Sequence, residues 1–151
     1  MATPISEHRV TRRVQFYETD AVGIVHFSWF PRYLEEAEHD MWRAAGLSIH
    51  EPNGRYGWPR VALTFDYFAP LRFEDVFDVT IRIAELGARS IRYAGEITCG
   101  TTRIATLFFG RLHGSENSQR LLPCHVHAHA GRFQTLRRRR LAPAGVGASP
   151  M

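Results

Sequence analysis

One long amphipathic segment limits what this chain can fold into. Between residues 28 and 46, apolar side chains recur at intervals of three and four, which places them on one face of an α-helix. This apolar face comprises Phe30, Tyr33, Leu34, Ala37, Met41, Ala44 and Ala45. The opposite, charged face comprises Arg32, Glu35, Glu36, Glu38, His39 and Arg43. We expect Ser28 to cap this helix, Pro31 to lie in its first turn and Gly46 to end it.

Segments with strand-like alternation surround the helix. The alternation is clearest where Phe77, Val79 and Ile81 point one way and the residues between them point the other. The predicted strands are residues 8–18, 60–67, 75–86, 90–99 and 103–112. Residues 48–58 are rich in Pro, Asn and Gly and predict a loop. One helix and five strands in this order predict an α+β fold, with the helix lying across an antiparallel sheet.

Composition fits a single globular domain. The chain has 151 residues, of which 44% are hydrophobic, enough for one core but not for two. It contains no run of about 18 apolar residues, so we expect no membrane span. The N-terminus lacks a charged-then-apolar signal segment, so we expect a cytoplasmic protein. Cys99 and Cys124 do not suggest a disulfide framework.

Positive charge is concentrated in the C-terminal part of the chain. Residues 1–112 contain 13 Arg against 14 Asp and Glu, whereas residues 113–151 contain 6 Arg against one Glu. We therefore predict a single domain over residues 1–123 and a disordered basic tail over residues 124–151. The tail's His-rich run could bind a soft metal, and its four consecutive arginines could touch nucleic acid or anionic lipid. A solvated tail is the favoured interpretation, with no metal site and no specific nucleic-acid partner.

A carboxylate lies just before the start of the predicted helix. Asp20 and Gly23 belong to a turn that leads into it. Unpaired backbone N–H groups and the helix dipole favour negative charge at a helix N-terminus. Hydrolysis of an acyl compound needs such a pairing, with a carboxylate as base or nucleophile and N–H donors for the oxyanion. The alternative is that Asp20 is only a turn or helix-cap carboxylate.

The turn and the helix carry a recognisable spacing, D-x-x-G-[IV]-V-x-[FY]-x-x-[FY]. It is formed by Asp20, Gly23, Ile24, Val25, His26, Phe27 and Phe30. This spacing resembles the 4-hydroxybenzoyl-CoA thioesterase branch of the hotdog-fold acyl-CoA thioesterases. The resemblance resumes at RVALTFDYFAPLRFEDVFDVTIRI and covers residues 8–112. It implies a hotdog fold, with a five-stranded antiparallel sheet wrapped on one long central helix, and a homodimer or a tetramer built from dimers.

The resemblance also implies roles for individual residues. Asp20 would attack the thioester carbonyl, either directly as nucleophile or through water as general base. The Phe27 N–H would bind the oxyanion, with Gly23 allowing the chain to approach closely. His26 would assist Asp20 or the leaving thiolate, or would simply pack at the strand–helix corner. Trp29 and Tyr33 complete the substrate-binding candidates, although many relatives have a polar residue where this chain has Trp29.

Four arginines are weaker candidates for binding the phosphates of CoA, because Arg binds phosphate through two parallel hydrogen bonds. They are Arg60, Arg72, Arg89 and Arg92. Each could equally be an ordinary surface arginine. The implied substrate is an acyl-CoA or acyl-carrier thioester, so CoA is part of the substrate and no cofactor or metal is required.

Two other functions stay open from the sequence. A hotdog acyl-thioester dehydratase or hydratase would use a catalytic His, and His26-Phe27 resembles the His-Phe-Pro setting of that group. The proline is absent at position 28, however, and the spacing from Asp20 to Gly23 favours the thioesterase. The second alternative is a non-catalytic acyl- or anion-binding module that depends on the basic tail.

Overall fold

One helix packed on a five-stranded antiparallel sheet makes up the body of the protein. The computed structural model describes residues 6–50 and 56–115. The strands are β1 (Glu7–Arg13), β2 (Tyr56–Gly57), β3 (Arg60–Tyr67), β4 (Val76–Leu86), β5 (Ser90–Cys99), β6 (Thr102–Leu112) and β7 (Gly114–Ser115). The helix α1 is Phe30–Ala44, and short 3₁₀ turns occupy Phe16–Glu18 and Phe27–Trp29.

The sheet has the order β1-β4-β5-β6-β3, and all neighbouring strands are antiparallel. The strands β2 and β7 form a separate two-stranded pair. The predicted hotdog fold, a five-stranded antiparallel sheet with one long helix, is confirmed. The strands predicted after the helix are each found within one residue of their predicted limits, because their alternation is regular.

The core lies between α1 and the inner face of the sheet. The sheet contributes Phe77, Val79, Ile81, Ile91, Tyr93, Ile97, Leu107 and Phe109, all buried. The helix contributes Phe30, Tyr33, Leu34, Ala37 and Met41. Burying each large apolar side chain contributes about 1.5–3 kcal/mol. Phe108 is 42% exposed, because it points to the face of the sheet that α1 does not cover.

Gly95 occupies a tight position in the middle of β5, where it pairs with Ile81 and Leu107. A Cβ atom at this position would lie 2.4 Å from the Thr80 carbonyl oxygen. It would also lie 3.2 Å from the side chains of both ladder partners. The neighbouring strand therefore fills the space that a side chain would need.

The start of the helix differs from the prediction. The 3₁₀ turn Phe27–Trp29 comes first and is capped by His26, whose Nδ1 accepts the Ser28 N–H at 3.3 Å. The prediction of Ser28 as the cap was therefore wrong, because the chain begins to coil earlier than that residue. Pro31 lies in the first turn of α1, as predicted.

The helix ends just before Gly46, the glycine that the sequence predicted to end it. Gly46 has a φ of +74°, in the left-handed region that favours glycine. Its N–H and that of Leu47 each donate to carbonyls of the last turn at 2.9 Å. Ala44 and Ala45 are exposed, so their assignment to the apolar face was wrong. The last residues of the helix therefore extend beyond the core.

The first strand is shorter than predicted. It ends at Arg13, and the chain then makes the turn Phe16–Glu18 in place of the second half of the predicted strand. The Gln15 N–H donates to the Glu18 carboxylate at 2.8 Å, which closes this turn locally. As a result, Phe16 is 74% exposed and does not continue the apolar side of the strand.

Two predicted segments fall partly or wholly outside the described residues. The predicted loop at 48–58 contains the short strand β2, and its residues 51–55 are not described. The predicted tail, residues 124–151, lies outside the described residues, so the domain limit at residue 123 stays a prediction. Within residues 6–50 and 56–115, no helix has the length and apolarity needed to cross a membrane. The cytoplasmic location also stays a prediction.

Candidate active site

The candidate site is built on a tight hairpin between the first 3₁₀ turn and the helix. Thr19 and Val25 form an antiparallel bridge. Inside it, the Asp20 N–H donates to the Ile24 carbonyl at 2.9 Å, and the Gly23 N–H donates to the Asp20 carbonyl at 3.0 Å. Gly23 has a φ of +81°, which this kind of hairpin loop needs. The turn predicted around Asp20 is confirmed.

The Asp20 carboxylate is anchored through one of its two oxygens. Oδ1 accepts the Val22 N–H at 2.9 Å and lies 3.5 Å from the Ile24 nitrogen. This is the side-chain-to-backbone contact that Asp commonly makes in turns. Oδ2 has no hydrogen-bond partner among the residues that the structure describes. The side chain is therefore oriented by one oxygen while the other can still accept a proton or attack an electrophile.

An unpaired N–H group lies where the chain enters the helix. The His26 N–H donates to the Glu18 carbonyl at 2.9 Å, and the Ser28 N–H is bound by the His26 side chain. Between them, the Phe27 N–H has no partner in the described part of the chain. Because the turn from Phe27 runs directly into α1, the positive end of the helix dipole lies here. The Phe27 ring is 67% exposed and is not a core residue.

His26 is engaged with its own neighbours. Its Nδ1 lies 2.8 Å from the Ser28 hydroxyl and accepts the Ser28 N–H, so the ring proton of the neutral form is on Nε2. The ring packs against Phe27 with centroids 4.4 Å apart. Within the described residues, no hydrogen bond or ion pair joins His26 to Asp20. The structure brings the two residues onto one hairpin but not into contact.

Trp29 and Tyr33 lie in different surroundings. Trp29 is partly buried between the Tyr17 ring, 5.4 Å away, and the Arg32 guanidinium, 4.9 Å away. Tyr33 is fully buried, and its hydroxyl donates to Glu18 at 2.8 Å. Burial, reinforced by this hydrogen bond to a carboxylate, raises the pKa of Tyr33 well above its ordinary value. Trp29 therefore faces the surface near the hairpin, whereas the Tyr33 hydroxyl is used inside the core.

Glu18 is a residue that sequence reasoning missed. It is fully buried, and its carboxylate binds the Arg12 guanidinium at 3.1 Å as well as Tyr33 and the Gln15 N–H. The one signal in the sequence was the spacing of Gln15 and Glu18, which fits a capping box. That signal predicts a local turn but not burial.

Among the four candidate arginines, Arg72 lies beside the hairpin. It forms an antiparallel bridge with Ile24, and the neighbouring Leu71 carbonyl accepts the Val25 N–H at 2.8 Å. The Arg72 N–H donates to the Asp75 carboxylate at 2.7 Å, which fixes its backbone. Its side chain is exposed, and its guanidinium has no partner among the described residues. Arg72 can therefore reach an anion near the site.

The other three arginines already contact protein groups. Arg60 pairs with Glu38 at 3.0 Å, and burial lowers the pKa of its guanidinium. Arg92 forms an ion pair with Glu85. Arg89 donates to a backbone carbonyl at 3.3 Å. Their role in binding CoA phosphates stays a prediction.

Glu38 was placed on the exposed face of the helix, and that prediction was wrong. It is fully buried, and Arg111 binds both of its oxygens, at 2.5 and 2.6 Å. Arg60 adds a third contact, and Arg111 also donates to the Trp58 carbonyl. Helical spacing places Glu38 among the charged residues of the helix. It cannot show that Arg60 of β3 and Arg111 of β6 form ion pairs with it.

Metal ligands are not assembled in the part of the protein that the structure describes. There, no group of three His, Cys, Asp or Glu side chains is arranged to hold a metal ion. The histidines of the tail lie outside the described residues.

Comparison with known proteins decides the family. Residues 14–130 match the Thioesterase-like superfamily. The chain belongs to this family. The resemblance inferred from the spacing around Asp20 and Gly23 is thereby confirmed at the level of the family. The roles of individual residues stay predictions.

Three relatives illustrate the range of similarity. The chain is 44% identical over 77 residues to a candidate esterase of Aquifex aeolicus, covering 50% of this chain and 59% of that protein. It is 26% identical over 104 residues to a 1,4-dihydroxy-2-naphthoyl-CoA hydrolase of Synechococcus, covering 64% and 70%. The solved structure of a gentisyl-coenzyme A thioesterase superimposes with a TM-score of 0.67 at 27% identity, covering 72% and 89%. The chain thus spans less than two thirds of the Aquifex protein.

Proposed function

We propose that this protein is an acyl-CoA thioesterase that hydrolyses an acyl thioester to a free acid and CoA, or a carrier thiol. One observation carries the proposal. The hairpin that holds Asp20 by one oxygen leads directly to the helix start, where the Phe27 N–H is unpaired. A carboxylate oxygen and an N–H donor, both without partners in the described residues, are the two groups that thioester hydrolysis needs.

Two routes are compatible with this arrangement. In one, Asp20 Oδ2 takes a proton from water, and the resulting hydroxide attacks the thioester carbonyl. In the other, Oδ2 attacks the carbonyl itself and forms a mixed anhydride, which water then hydrolyses. In both, the C–S bond breaks and the thiolate leaves with the electron pair. Neither route needs a metal ion or a redox cofactor.

The Phe27 N–H would stabilise the oxyanion that forms on the carbonyl oxygen during either route. A donor of this kind contributes about 10²–10³-fold in rate when it is fixed in place. Its direction is set by its neighbours, because the His26 and Ser28 N–H groups on both sides are held by hydrogen bonds. The positive end of the helix dipole adds to the attraction for negative charge.

Arg72 would bind a phosphate of CoA. It is the candidate arginine that bridges to the hairpin, and its exposed guanidinium has no partner among the described residues. A guanidinium binds phosphate through two parallel hydrogen bonds, which gives both affinity and orientation.

An aromatic acyl group is the substrate class that the surroundings favour. Exposed apolar side chains cluster on and around the hairpin; they are Phe16, Tyr17, Val22, Phe27 and Phe73. Aromatic rings pack well against such a surface. Two of the relatives are named for naphthoyl-CoA and gentisyl-CoA, both aromatic thioesters.

Release of free thiol from a panel of acyl-CoAs tests the function. The panel should contain hydroxybenzoyl-CoA, hexanoyl-CoA and palmitoyl-CoA, together with an acyl-carrier thioester. We expect thiol release, fastest with the aromatic substrate. The hydratase alternative makes the opposite prediction: crotonyl-CoA would lose its double bond without releasing thiol. No thiol from any member of the panel would refute the proposed function.

Assembly into a homodimer through β3 completes the proposal. The sheet has two edges, and the exposed positions of β1 are mostly charged, which discourages pairing with another strand. The β3 edge instead exposes Leu63 and Tyr67, and Phe68 follows. Joining two sheets through this edge would cover these side chains and satisfy the unpaired strand.

A charge placed on each edge in turn tests this assembly. We expect Leu63→Lys to convert the dimer, or a tetramer built from dimers, to smaller species by light scattering at micromolar concentration. The matched control, Thr11→Lys on β1, should leave the size unchanged. A wild-type protein that is monomeric and active would rule out the assembly.

A further inference from the structure

Glu18 is a fully buried carboxylate that lies two residues before Asp20. Burying an ionised carboxylate is costly unless hydrogen-bond donors surround it. Here three donors do so. Arg12 Nη2 lies 3.1 Å from Oε1, while the Gln15 N–H and the Tyr33 hydroxyl each lie 2.8 Å from Oε2. The side chain therefore ties β1, the first 3₁₀ turn and the helix together at one point.

The backbone of the same residue closes the base of the hairpin. The Glu18 carbonyl accepts the His26 N–H at 2.9 Å, and the next residue, Thr19, bridges to Val25. Asp20 follows on one side of this closure and Phe27 on the other. Any shift of Glu18 would thus move the carboxylate and the N–H donor of the site relative to each other.

We infer that Glu18 is a positioning residue for thioester hydrolysis. Its buried carboxylate fixes the base of the hairpin, so that Asp20 Oδ2 and the Phe27 N–H keep the spacing that the reaction needs. The inference rests on the proposed function, because it assigns Asp20 and Phe27 their roles. Small displacements of reacting groups matter greatly: about 1 Å of misplacement can cost about 10²-fold in rate.

The negative charge of Glu18, and not only its shape, is needed. All three partners are donors, so a glutamine would set its own NH₂ group against at least one of them. A donor left unsatisfied in a buried position is unfavourable, and the hairpin would shift to relieve it. Glu18→Gln is therefore a small change in volume with a defined local consequence.

The chain offers a matched control in Glu36. It binds the other end of the same arginine, with Arg12 Nη1 at 2.7 Å, but its side chain is 55% exposed. It lies on α1 and makes no contact with the hairpin through this pair. Glu36→Gln thus perturbs Arg12 without touching the base of the hairpin.

The experiment compares the two variants with the wild-type protein by steady-state kinetics, using the best substrate of the panel. We expect Glu18→Gln to lower kcat by about 10–100-fold while KM changes by less than about threefold. Glu36→Gln should stay within about twofold of the wild type in both constants. Circular dichroism and thermal melting give the folded fraction, to which kcat is normalised. A loss of kcat that disappears on this normalisation shows a merely structural role and overturns the inference.

Amide hydrogen exchange over residues 19–27 supplies a second readout. Glu18→Gln should speed exchange of the His26 and Asp20 amides, which are bound across the hairpin at 2.9 Å, whereas Glu36→Gln should not. If Glu18→Gln does not fold, Tyr33→Phe removes one donor and keeps the ring, with an expected loss in kcat of about three- to tenfold. Unchanged kcat in whichever of these two variants folds would overturn the inference.

The outcomes separate this inference from the proposed function. If the wild type releases thiol and Glu18→Gln matches it in kcat, Glu18 has no positioning role and the proposed function stands. If the wild type releases no thiol, the proposed function fails and takes the catalytic part of the inference with it. Hydrogen exchange then decides alone whether Glu18 fixes the hairpin, since that measurement does not need turnover.

Discussion

The two ends of α1 treat their polar groups differently. At the N-terminal end, Asp20 keeps one oxygen unpaired and the Phe27 N–H has no partner in the described residues. In the second half of the helix, Glu38 is fully buried and both of its oxygens are bound by arginines. The groups of the candidate site are held in place without being saturated, whereas the buried carboxylate in the second half of the helix has both oxygens bound.

The groups available for catalysis and the groups that stabilise the fold therefore lie at different places along one helix. Groups that are oriented but not saturated can bind substrate, whereas a buried carboxylate without partners would destabilise the fold. Within the described residues, no buried side-chain nitrogen or oxygen lacks a hydrogen-bond partner. The unpaired carboxylate oxygen of Asp20 is thus not buried, and solvent or substrate can reach it.

Removing the charge of Glu38, in the second half of the helix, should have the largest effect on stability. Glu38→Gln leaves Arg60 and Arg111 partly buried without a carboxylate between them. Breaking a buried pair by removing one partner typically costs about 3–5 kcal/mol. Urea unfolding should show a loss of this size in the free energy of unfolding, while kcat of the folded protein stays close to that of the wild type.

The control for this prediction is Glu35→Gln, which changes an exposed carboxylate on the neighbouring position of the same helix. We expect a change below about 0.5 kcal/mol. Equal losses of stability in the two variants would mean that the buried ion pairs of Glu38 stabilise the protein no more than an exposed carboxylate does. The proposed difference between the two ends of the helix would then be wrong.

Asp20→Asn should have the opposite effect: turnover should fall, while the free energy of unfolding should change little. An asparagine keeps the Oδ1 contact to the Val22 N–H, so the turn should survive. It loses the negative charge, so turnover should fall by at least about 10²-fold. Thiol release with the best acyl-CoA of the panel measures the fall, and urea unfolding should show little change in stability.

Asp78→Asn on the outer face of β4 is the control for a general effect of losing an aspartate. Its carboxylate accepts a hydrogen bond from Thr11 and lies on the sheet, not on the hairpin. Its kcat should match that of the wild type. Near-normal hydrolysis by folded Asp20→Asn would remove Asp20 from the mechanism.

The smallest expected effect concerns Asp40, an exposed carboxylate in the same half of the helix as Glu38. Hydrogen bonds from His8 and Arg43 lower the pKa of Asp40. A lowered pKa in the folded state gives stability that is present above the unfolded pKa and is lost as pH falls through the folded pKa. With the side chain 47% exposed, solvent screening keeps the contribution below about 1 kcal/mol.

Unfolding of the wild type and Asp40→Asn across the acid range measures this effect. The difference in stability should be fully present above the unfolded carboxyl pKa and be lost as pH falls through the lower folded pKa of Asp40. A difference that grows towards low pH would have the wrong sign for a lowered carboxyl pKa. A loss as large as that of Glu38→Gln would show that burial is not what distinguishes the two positions.

Most of the fold could be predicted because its signals are local. The alternation of Phe77, Val79 and Ile81 marks a strand with one buried face, and Gly46 marks the end of the helix. The errors arose where a side chain overrides local propensity. Glu18 turns the chain after β1, and His26 caps a 3₁₀ turn that precedes the helix, whereas Ser28 was predicted to cap the helix itself.

The candidate site was predictable in part for the same reason. Asp20 and Gly23 form a turn whose chemistry lies within four residues, so spacing alone suggested it. Glu18 and Glu38 were not predictable as buried, because their partners come from distant parts of the chain: Arg12 and Tyr33 for Glu18, and Arg60 and Arg111 for Glu38. The sequence alone does not show whether a glutamate will form an ion pair with an arginine from a distant part of the chain.

The crowding at Gly95 limits how this sequence can change over time. Any side chain there must displace the Thr80 carbonyl or the packed side chains of Ile81 and Leu107. A saturation library of β5, selected for folded protein, should therefore return varied apolar residues at positions 91, 93 and 97 and glycine at 95. Descendants of this gene can exchange one apolar residue for another at those buried positions, but position 95 must stay glycine.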